Sequence, residues 1–383
     1  MIYFDYQSSR PVDSRVLKTM LPYFDKKFGN PSSLHEIGDE ATLILEQSRS
    51  SVAEFINAEP EEIIFTSGAT EANNLALIGY AFRNRGNHII ISEIEHISIH
   101  NIAKYLQKNG FEVTKVPVDF YGRINIDALK QRITDKTILI SITYASNEVG
   151  TIQEIPEIAG LCREKEIAFH TDAVAAEPQI HIDVKNLGID LMSLSSNDIY
   201  GPKGVGVLYI RKGIRLNPLI LGGGQEFGLR SGTENIPGIV GMKIAAEIMS
   251  QEMDQEVATL KGYQQRLIKG VLENIPDSYL NGHPRARLAN NVHFRFDGIE
   301  GESLLLGLKD KGISVSTGSA CSSKTLEPSH TLIALGLLHE EAHGSLQLTM
   351  GRFNRAQDID TLLNVLPDVV RKLRKLSPLY KGV

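Results

Sequence analysis

Short apolar runs alternate with stretches of helical periodicity over residues 62–210. In the helical stretches apolar residues recur every three or four positions, whereas the apolar runs have the length of strands. Such alternation is typical of α/β proteins, in which helices cover both faces of a mostly parallel sheet. It predicts a large α/β domain with strands over 62–65, 88–92, 112–117, 137–143, 168–172, 189–194 and 205–210.

The pattern changes after a long amphipathic helix predicted over 236–274. The strands and helices that follow no longer alternate strictly, which predicts a smaller α+β C-terminal domain. A chain of 383 residues is long enough for two domains. We expect residues 13–250 to form the large domain, and residues 1–12 and 251–383 to form the small one.

Composition and charge exclude several classes of function. The net charge of -6 argues against nucleic acid as the main partner. No apolar run reaches the ~18 residues of a membrane helix, and the N-terminus lacks the basic start of a secretory signal. The two cysteines, Cys162 and Cys321, provide no disulfide framework and indicate a reducing compartment. We therefore expect a soluble cytoplasmic protein that binds neither nucleic acid nor a membrane.

Two turns have the residues of an anion-binding site. The first, residues 66–70, follows a predicted strand and precedes a helix. Unpaired N–H groups and the helix dipole converge at such a helix start. The second, residues 193–204, joins two apolar runs and contains small hydroxyl residues and glycines, which let a ligand approach the backbone. Together the turns indicate a phosphate site, although a simple helix cap also explains the first.

Eight short motifs follow one another over nearly the whole chain: TSGATEANN (66–74), EH (95–96), TDA (171–173), IYGPKG (199–204), GGGQE with GLRSGTEN (222–235), NGHP with NNV (281–292), GSACSS (318–323) and GRF (351–353). Together they resemble the cysteine desulfurases of iron–sulfur cluster assembly, which belong to the class-V aminotransferases. The resemblance implies the fold of fold-type I transferases that use pyridoxal 5′-phosphate (PLP), bound by the large domain. It also implies a homodimer that takes sulfur from L-cysteine and passes it to an iron–sulfur scaffold protein.

The resemblance implies a PLP site formed by Ala69, Thr70, His96, Asn147, Asp172, Ser195, Asn197, Asp198 and Thr233. Ala69, Thr70 and Ser195 would bind the phosphate, and Thr233 would be donated to it by the second subunit. His96 would stack on the pyridine ring as a catalytic residue. Asp172 would pair with the ring nitrogen, and Asn147 would approach the ring oxygen.

Residue type alone leaves other interpretations of these positions. His96 also fits a surface histidine near a turn, and Asp172 also fits the cap of the next helix. His96 and His100 have the i, i+4 spacing of a metal pair, but no third ligand has a suitable spacing.

The chain departs from the family at residues that carry the chemistry. Asn197-Asp198 replaces His-Lys, so the lysine that binds PLP covalently is absent, as in a subgroup of archaeal homologues. Ala175 replaces a Gln near the cofactor, Gln347 replaces an Arg that clamps the substrate carboxylate, and Ser146 replaces an Asn. Because a carboxylate cannot form the covalent link that an amine forms, we expect noncovalent PLP and impaired catalysis.

Cys321 lies in a stretch of small residues, and its reactivity depends on the fraction of thiolate. The resemblance assigns it the catalytic role of accepting sulfur as a persulfide, on a loop of the small domain; residue type alone also fits an incidental surface cysteine. Cys162, at helical spacing, is predicted to be a buried or inert thiol.

A second hypothesis is a docking partner without desulfurase activity. Its Cys321 would accept sulfur, or would be a metal ligand to a nascent [2Fe-2S] cluster shared with the scaffold, since thiolate is the usual ligand of such clusters. The basic and apolar residues over 371–380 suit docking, and they equally suit the cationic end of a helix.

Overall fold

The computed structural model describes residues 1–318, 328–378 and 380. Its strands are β1 (Ile2–Tyr3), β2 (Ile63–Thr66), β3 (His88–Ser92), β4 (Glu112–Val116), β5 (Thr137–Ser141), β6 (Ala168–Asp172), β7 (Leu191–Ser195), β8 (Gly206–Ile210), β9 (Ser278–Leu280), β10 (Asn291–Phe296), β11 (Ile313–Ser314) and β12 (Ser345–Thr349). Its α-helices are α1 (Ser14–Met20), α2 (Pro22–Asp25), α3 (Glu36–Phe55), α4 (Ala69–Ala81), α5 (Ile97–Lys108), α6 (Ile126–Arg132), α7 (Ile155–Glu164), α8 (Val184–Leu187), α9 (Ile236–Asn274), α10 (Gly301–Lys309), α11 (His330–Ala334), α12 (His339–His343) and α13 (Ala356–Leu376). Short 3₁₀ helices span Pro60–Glu62, Ser196–Ile199 and Glu226–Gly228.

The larger sheet has seven strands in the order β2-β8-β7-β6-β5-β3-β4. The pairs β3–β4, β3–β5, β5–β6 and β6–β7 are parallel, which confirms the predicted mostly parallel sheet. Strand β8 is antiparallel to both of its neighbours, β7 and β2. The alternation did not predict this. The reason is chain length, because only the loop 196–205 joins β7 to β8, and a parallel crossover needs about a dozen residues or more.

Strand β3 explains why helices cover both faces of this sheet. Ile89 and Ile91 pack into an apolar cluster with α4 and α5, while Ile90 packs into a second cluster with α3, α7 and α9. Successive side chains of a strand point to opposite faces. A strand that is apolar throughout therefore requires a helix layer on each side.

A separate apolar cluster surrounds the three-stranded antiparallel sheet β12-β10-β9, which α10 and α13 cover. Strand β1 pairs with β11, so that Ile2 lies opposite Ile313 and the N-terminal strand joins this C-terminal part. Helix α9 contributes Ile239 to the core of the larger sheet and Leu260 to this cluster. The domain boundaries after residues 12 and 250 stay a prediction.

Candidate active site

A pocket of about 500 Å³ lies where β6 and β7 end and α4 begins. Ligands of open α/β sheets bind at such carboxyl ends of strands, and the volume suits a small-molecule cofactor. The pocket brings together most of the residues predicted for the site, namely Ala69, Thr70, His96, Asn147, Asp172, Ser195, Asn197 and Asp198. Ala175 and Gln347 line it too, but Thr233 does not.

The start of α4 has the features of an anion cradle. Its N-cap is Gly68, whose φ of +152° L side chains rarely adopt, and no side chain of the described residues caps the helix. Ala69 and Thr70 line the pocket, and the first N–H groups of a helix have no partner within the helix. A Cβ atom on Gly206 would lie 2.6 Å from Gly68 Cα, so glycine lets β8 approach this turn closely.

Asp172 is held in place by a residue of α4 and by the backbone of the turn that follows β6. Asn73 Nδ2 donates to Asp172 Oδ2 at 2.8 Å, and the Val174 N–H donates to Oδ1 at 3.1 Å. The same Nδ2 also donates to Ser98 Oγ at 3.1 Å, and Ser98 Oγ lies 2.8 Å from His96 Nδ1. This chain of contacts fixes His96 and Asp172 relative to each other. Neither Asn73 nor Ser98 was predicted as a site residue, although Asn73 belongs to the TSGATEANN motif.

Asp198 is the residue predicted to stand where the family has its lysine. It lies in the 3₁₀ helix after β7, lines the pocket and is buried. No lysine of the described residues lines this pocket. The Nζ atom of Lys203, the lysine that follows in the same loop, donates to the carbonyl oxygen of Arg10 at 3.2 Å. Lys203 is therefore placed to support the loop.

Gln347, predicted to stand where the family has a carboxylate-binding arginine, spends its amide donor on the backbone. Its Nε2 donates to the carbonyl oxygens of Asn147, at 2.7 Å, and of Glu148, at 3.0 Å. Both amide hydrogens are thus used within the protein, and the side chain is buried. The amide holds the 147–148 backbone against β12.

Glu95 and Asp172 make the interior next to the pocket acidic. Glu95 is fully buried and accepts hydrogen bonds from Ser92 Oγ at 2.5 Å and from the Thr143 N–H at 2.8 Å. Burial raises the pKa of Glu95 to about 8, and the nearby charge of Asp172 adds to the shift. The hydrogen bonds of Glu95 tie β3 to the end of β5.

The loop that carries Thr233 is anchored to the larger sheet by a buried ion pair. Arg49 donates to both carboxylate oxygens of Glu226 at 2.8 Å, and the Phe65 N–H donates to Glu226 Oε2 at 2.7 Å. The side chains of Arg49 and Glu226 are 3% and 2% exposed. Thr233 itself is exposed.

We expect E226Q to lower the free energy of unfolding by about 3–5 kcal/mol, because it leaves the Arg49 guanidinium buried without its counter-charge. E59Q is the matched control, since the Glu59–Lys185 pair has side chains 61% and 47% exposed, and exposed pairs contribute about 0–1 kcal/mol. Urea unfolding monitored by circular dichroism measures both. Equal losses in the two variants would contradict the role assigned to the buried pair.

Cys321 lies outside the described residues, so its roles as nucleophile and as metal ligand stay predictions. Cys162 is buried, as predicted, and burial raises the pKa of its thiol to about 12. Nε2 of His100 lies 3.2 Å from the carbonyl oxygen of Glu93. Within the described ranges, no group of three or more His, Cys, Asp or Glu side chains is arranged to hold a metal ion.

The C-terminal segment differs in part from the expected docking surface. Arg374 is buried and donates to the carbonyl oxygens of Pro276, Asp277 and Asp297. It therefore anchors α13 to the turn before β9 and is not available to a partner. None of the helices in the described part of the chain combines the length and the hydropathy of a membrane-spanning segment.

Comparison with known proteins gives consistent matches over the whole chain. The chain matches the aminotransferase class-V family model over residues 2–362. It is 55% identical over 383 residues to the cysteine desulfurase IscS 1 of Archaeoglobus fulgidus, with 100% of both chains covered. It is 52% identical over 380 residues to the cysteine desulfurase IscS of Methanosarcina thermophila, covering 99% of this chain and 94% of that one. A solved NifS-like protein superposes with a TM-score of 0.91 at 36% identity, covering 97% of this chain and 100% of the other.

Proposed function

Because this chain belongs to the cysteine desulfurases of the class-V aminotransferase family, we propose that it acts slowly on L-cysteine with PLP held noncovalently. Sulfur passes to Cys321 as a persulfide and then to an iron–sulfur scaffold protein. The observation that carries the proposal is Asp198 in the pocket wall beside Asp172, His96 and the start of α4. The Asn197-Asp198 pair supports the proposal that the chain belongs to a lysine-free subgroup.

The residues of the pocket fit PLP by the chemistry of their donors. Ala69 and Thr70 at the uncapped start of α4, together with Ser195, would bind the phosphate. Asp172 would pair with the ring nitrogen, and the imidazole of His96, in the same pocket, would cover the ring. These groups supply hydrogen bonds and position, but no covalent anchor.

When bound, PLP supplies a ring that accepts electrons from the substrate. Asp172, with both oxygens fixed by hydrogen bonds, would hold a proton on the ring nitrogen. In the sulfur transfer, the Cβ–Sγ bond of L-cysteine and the S–H bond of Cys321 break, an S–S bond forms between the two sulfur atoms, and Cβ takes up the proton as alanine is released. Loss of the lysine as a positioned acid and base costs roughly 10²–10⁴ in rate.

A second candidate function is that of a docking partner without turnover of L-cysteine. Gln347 favours it, because both hydrogens of its Nε2 are bonded to backbone carbonyls and leave no amide donor for a substrate carboxylate. In this role Cys321 accepts sulfur from elsewhere or ligates a [2Fe-2S] cluster shared with the scaffold. Release of alanine from L-cysteine separates the two functions.

Thr233 supports a homodimer in either function. It lies on an exposed loop and does not line the pocket of its own chain. We propose that it completes the phosphate site of a second copy. Light scattering of the purified protein tests the dimer, and a monomer that binds PLP as tightly as the dimer would contradict this role of Thr233.

We expect PLP to be removed from the wild-type protein by dialysis, and borohydride reduction not to fix it. The reason is that no lysine of the described residues lines the pocket. Absorbance of the retained cofactor measures the effect, and D198K is the matched control that should keep its cofactor after reduction. Retention of reduced cofactor by the wild type would identify a covalent link to another residue and refute noncovalent binding.

A further inference from the structure

Arg10 lies buried against the loop that carries Asn197 and Lys203, with part of its hydrogen-bonding capacity unused. The residue is 1% exposed, and its Nε donates to the carbonyl oxygen of Tyr6 at 3.3 Å. Nη1 and Nη2 have no hydrogen-bond partner among the described residues. The guanidinium Cζ lies 5.1 Å from the centre of the Tyr200 ring. A buried cation of this kind requires nearby negative charge.

Two buried carboxyl groups supply that charge. Asp198 is 5% exposed and Glu177 is 0% exposed. Ser195 contacts both, because its N–H donates to Glu177 Oε1 at 2.8 Å and its side chain is hydrogen-bonded to Asp198. Glu177 Oε2 and Asp198 Oδ1 have no partner within the described ranges. Both carboxyls interact electrostatically with Arg10.

The surrounding charges couple the titration of one carboxyl to the charge of the other. Burial raises the pKa of Glu177, and the charges of Asp198 and Asp172 add to this while Arg10 opposes it. Burial also raises the pKa of Asp198, where Arg10 and hydrogen bonds oppose the shift and Asp172 adds to it. Neighbouring carboxyls that resist joint ionisation lose their protons in two separate steps. We expect Asp198 to lose its proton first, because Arg10 and the hydrogen bonds from Ser195 and Asn197 favour its ionised form.

We propose that Asp198 and Glu177 form a carboxyl pair that holds one proton, with Arg10 as counter-ion, and that Asp198 accepts the ammonium proton of L-cysteine. This role rests on the proposed function. At neutral pH the substrate nitrogen is an ammonium and has no lone pair. One N–H bond breaks, one O–H bond forms on Asp198, and the nitrogen keeps the electron pair of the broken bond as the lone pair of the neutral amine. Glu177 is a positioning residue, because it keeps the one proton of the pair and leaves Asp198 ionised.

Infrared titration of the carboxyl C=O band, in protein without PLP, tests the pair apart from activity. We expect two steps in the wild type, loss of the upper step in E177Q, and a lower pKa for Glu177 in D198N. R10Q should raise both pKa values, because it removes the cation that favours the ionised forms. R10K, which keeps the charge, should restore the wild-type positions. E148Q is the matched control: Glu148 is also buried, and its pKa is raised to about 7, but with Ser329 and Thr331 as neighbours.

If R10Q moves neither step, or if E177Q and E148Q change the same bands, the pair does not exist. The second measurement is the pH profile of alanine release by PLP-loaded protein. Its acid limb should move to higher pH in R10Q, since the base is free only above its raised pKa, and R10K should restore it. If R10Q shifts the infrared titration steps but leaves the acid limb of the pH profile where it is, the proposed proton transfer to Asp198 is overturned. If the infrared titration shows the expected two steps but the wild type releases no alanine at any pH, the proposed desulfurase activity itself is overturned.

Discussion

D198K is expected to release alanine from L-cysteine faster than the wild-type protein by roughly 10²–10⁴-fold, the range contributed by a positioned acid–base group. The substitution restores both the amine that anchors PLP and a group that moves protons. The pocket offers room for it, because Asp198 lines a cavity of about 500 Å³. Alanine formation by single-turnover and steady-state assays, at saturating PLP, measures the effect.

The surroundings of residue 198 make this prediction sharper. In D198K the new ammonium lies near Glu177, which can pair with it, and near Arg10, which repels it. R10Q/D198K should therefore be faster than D198K alone, whereas R10Q by itself should not gain activity. D198N controls for loss of the carboxylate without gain of an amine. Alanine release by the wild type at the rate of D198K would contradict the assignment of slow catalysis.

Most strands of the larger sheet could be predicted because they are short runs of mainly apolar residues; the edge strand β4 is the exception, with Val116 as its one buried residue. The bounds of β3 and β6 agree with the prediction, since polar turns flank these strands closely. The direction of β8 was not predicted, because periodicity carries no information on strand direction. Strand β9 was not predicted either: it has three residues, and none of them is fully buried.

The pocket could be predicted where motif residues lie at the ends of strands and at a helix start. Arg10 and Glu177 were missed because they are far apart in the chain and only the fold brings them to Asp198. Glu177 does carry a local signal, since it follows the small apolar run 173–176, and a charge at a position that is buried by its neighbours calls for a partner. Asn73 was also missed because its role depends on a contact that only the fold creates, the hydrogen bond to Asp172.

Arg10, one of the residues that were not predicted, affects the charge balance around Asp198. A lone Asp198 in place of an amine would place an unbalanced negative charge next to the phosphate site. The buried guanidinium of Arg10 balances that charge through its electrostatic interaction with Asp198. Arg10 therefore makes an aspartate at residue 198 compatible with the proposed cofactor site.

C321S is expected to reduce sulfur transfer to a scaffold protein to the background rate, because a hydroxyl group cannot form a persulfide and is a poor iron ligand. Both candidate functions depend on this thiol. Transfer of ³⁵S from labelled L-cysteine in the D198K background tests the persulfide. Assembly of a [2Fe-2S] cluster on the scaffold with supplied sulfide, in the wild-type background, tests the ligand role.

C162S is the matched control for both assays. Cys162 is 1% exposed, and burial raises the pKa of its thiol to about 12, so almost no thiolate is present at neutral pH. C162S should therefore transfer sulfur like its parent. If C321S loses transfer of labelled sulfur but assembles the cluster normally, the desulfurase is favoured. If C321S transfers labelled sulfur normally but fails to assemble the cluster, the docking partner is favoured. Unchanged behaviour of C321S in both assays would remove the residue on which both functions depend.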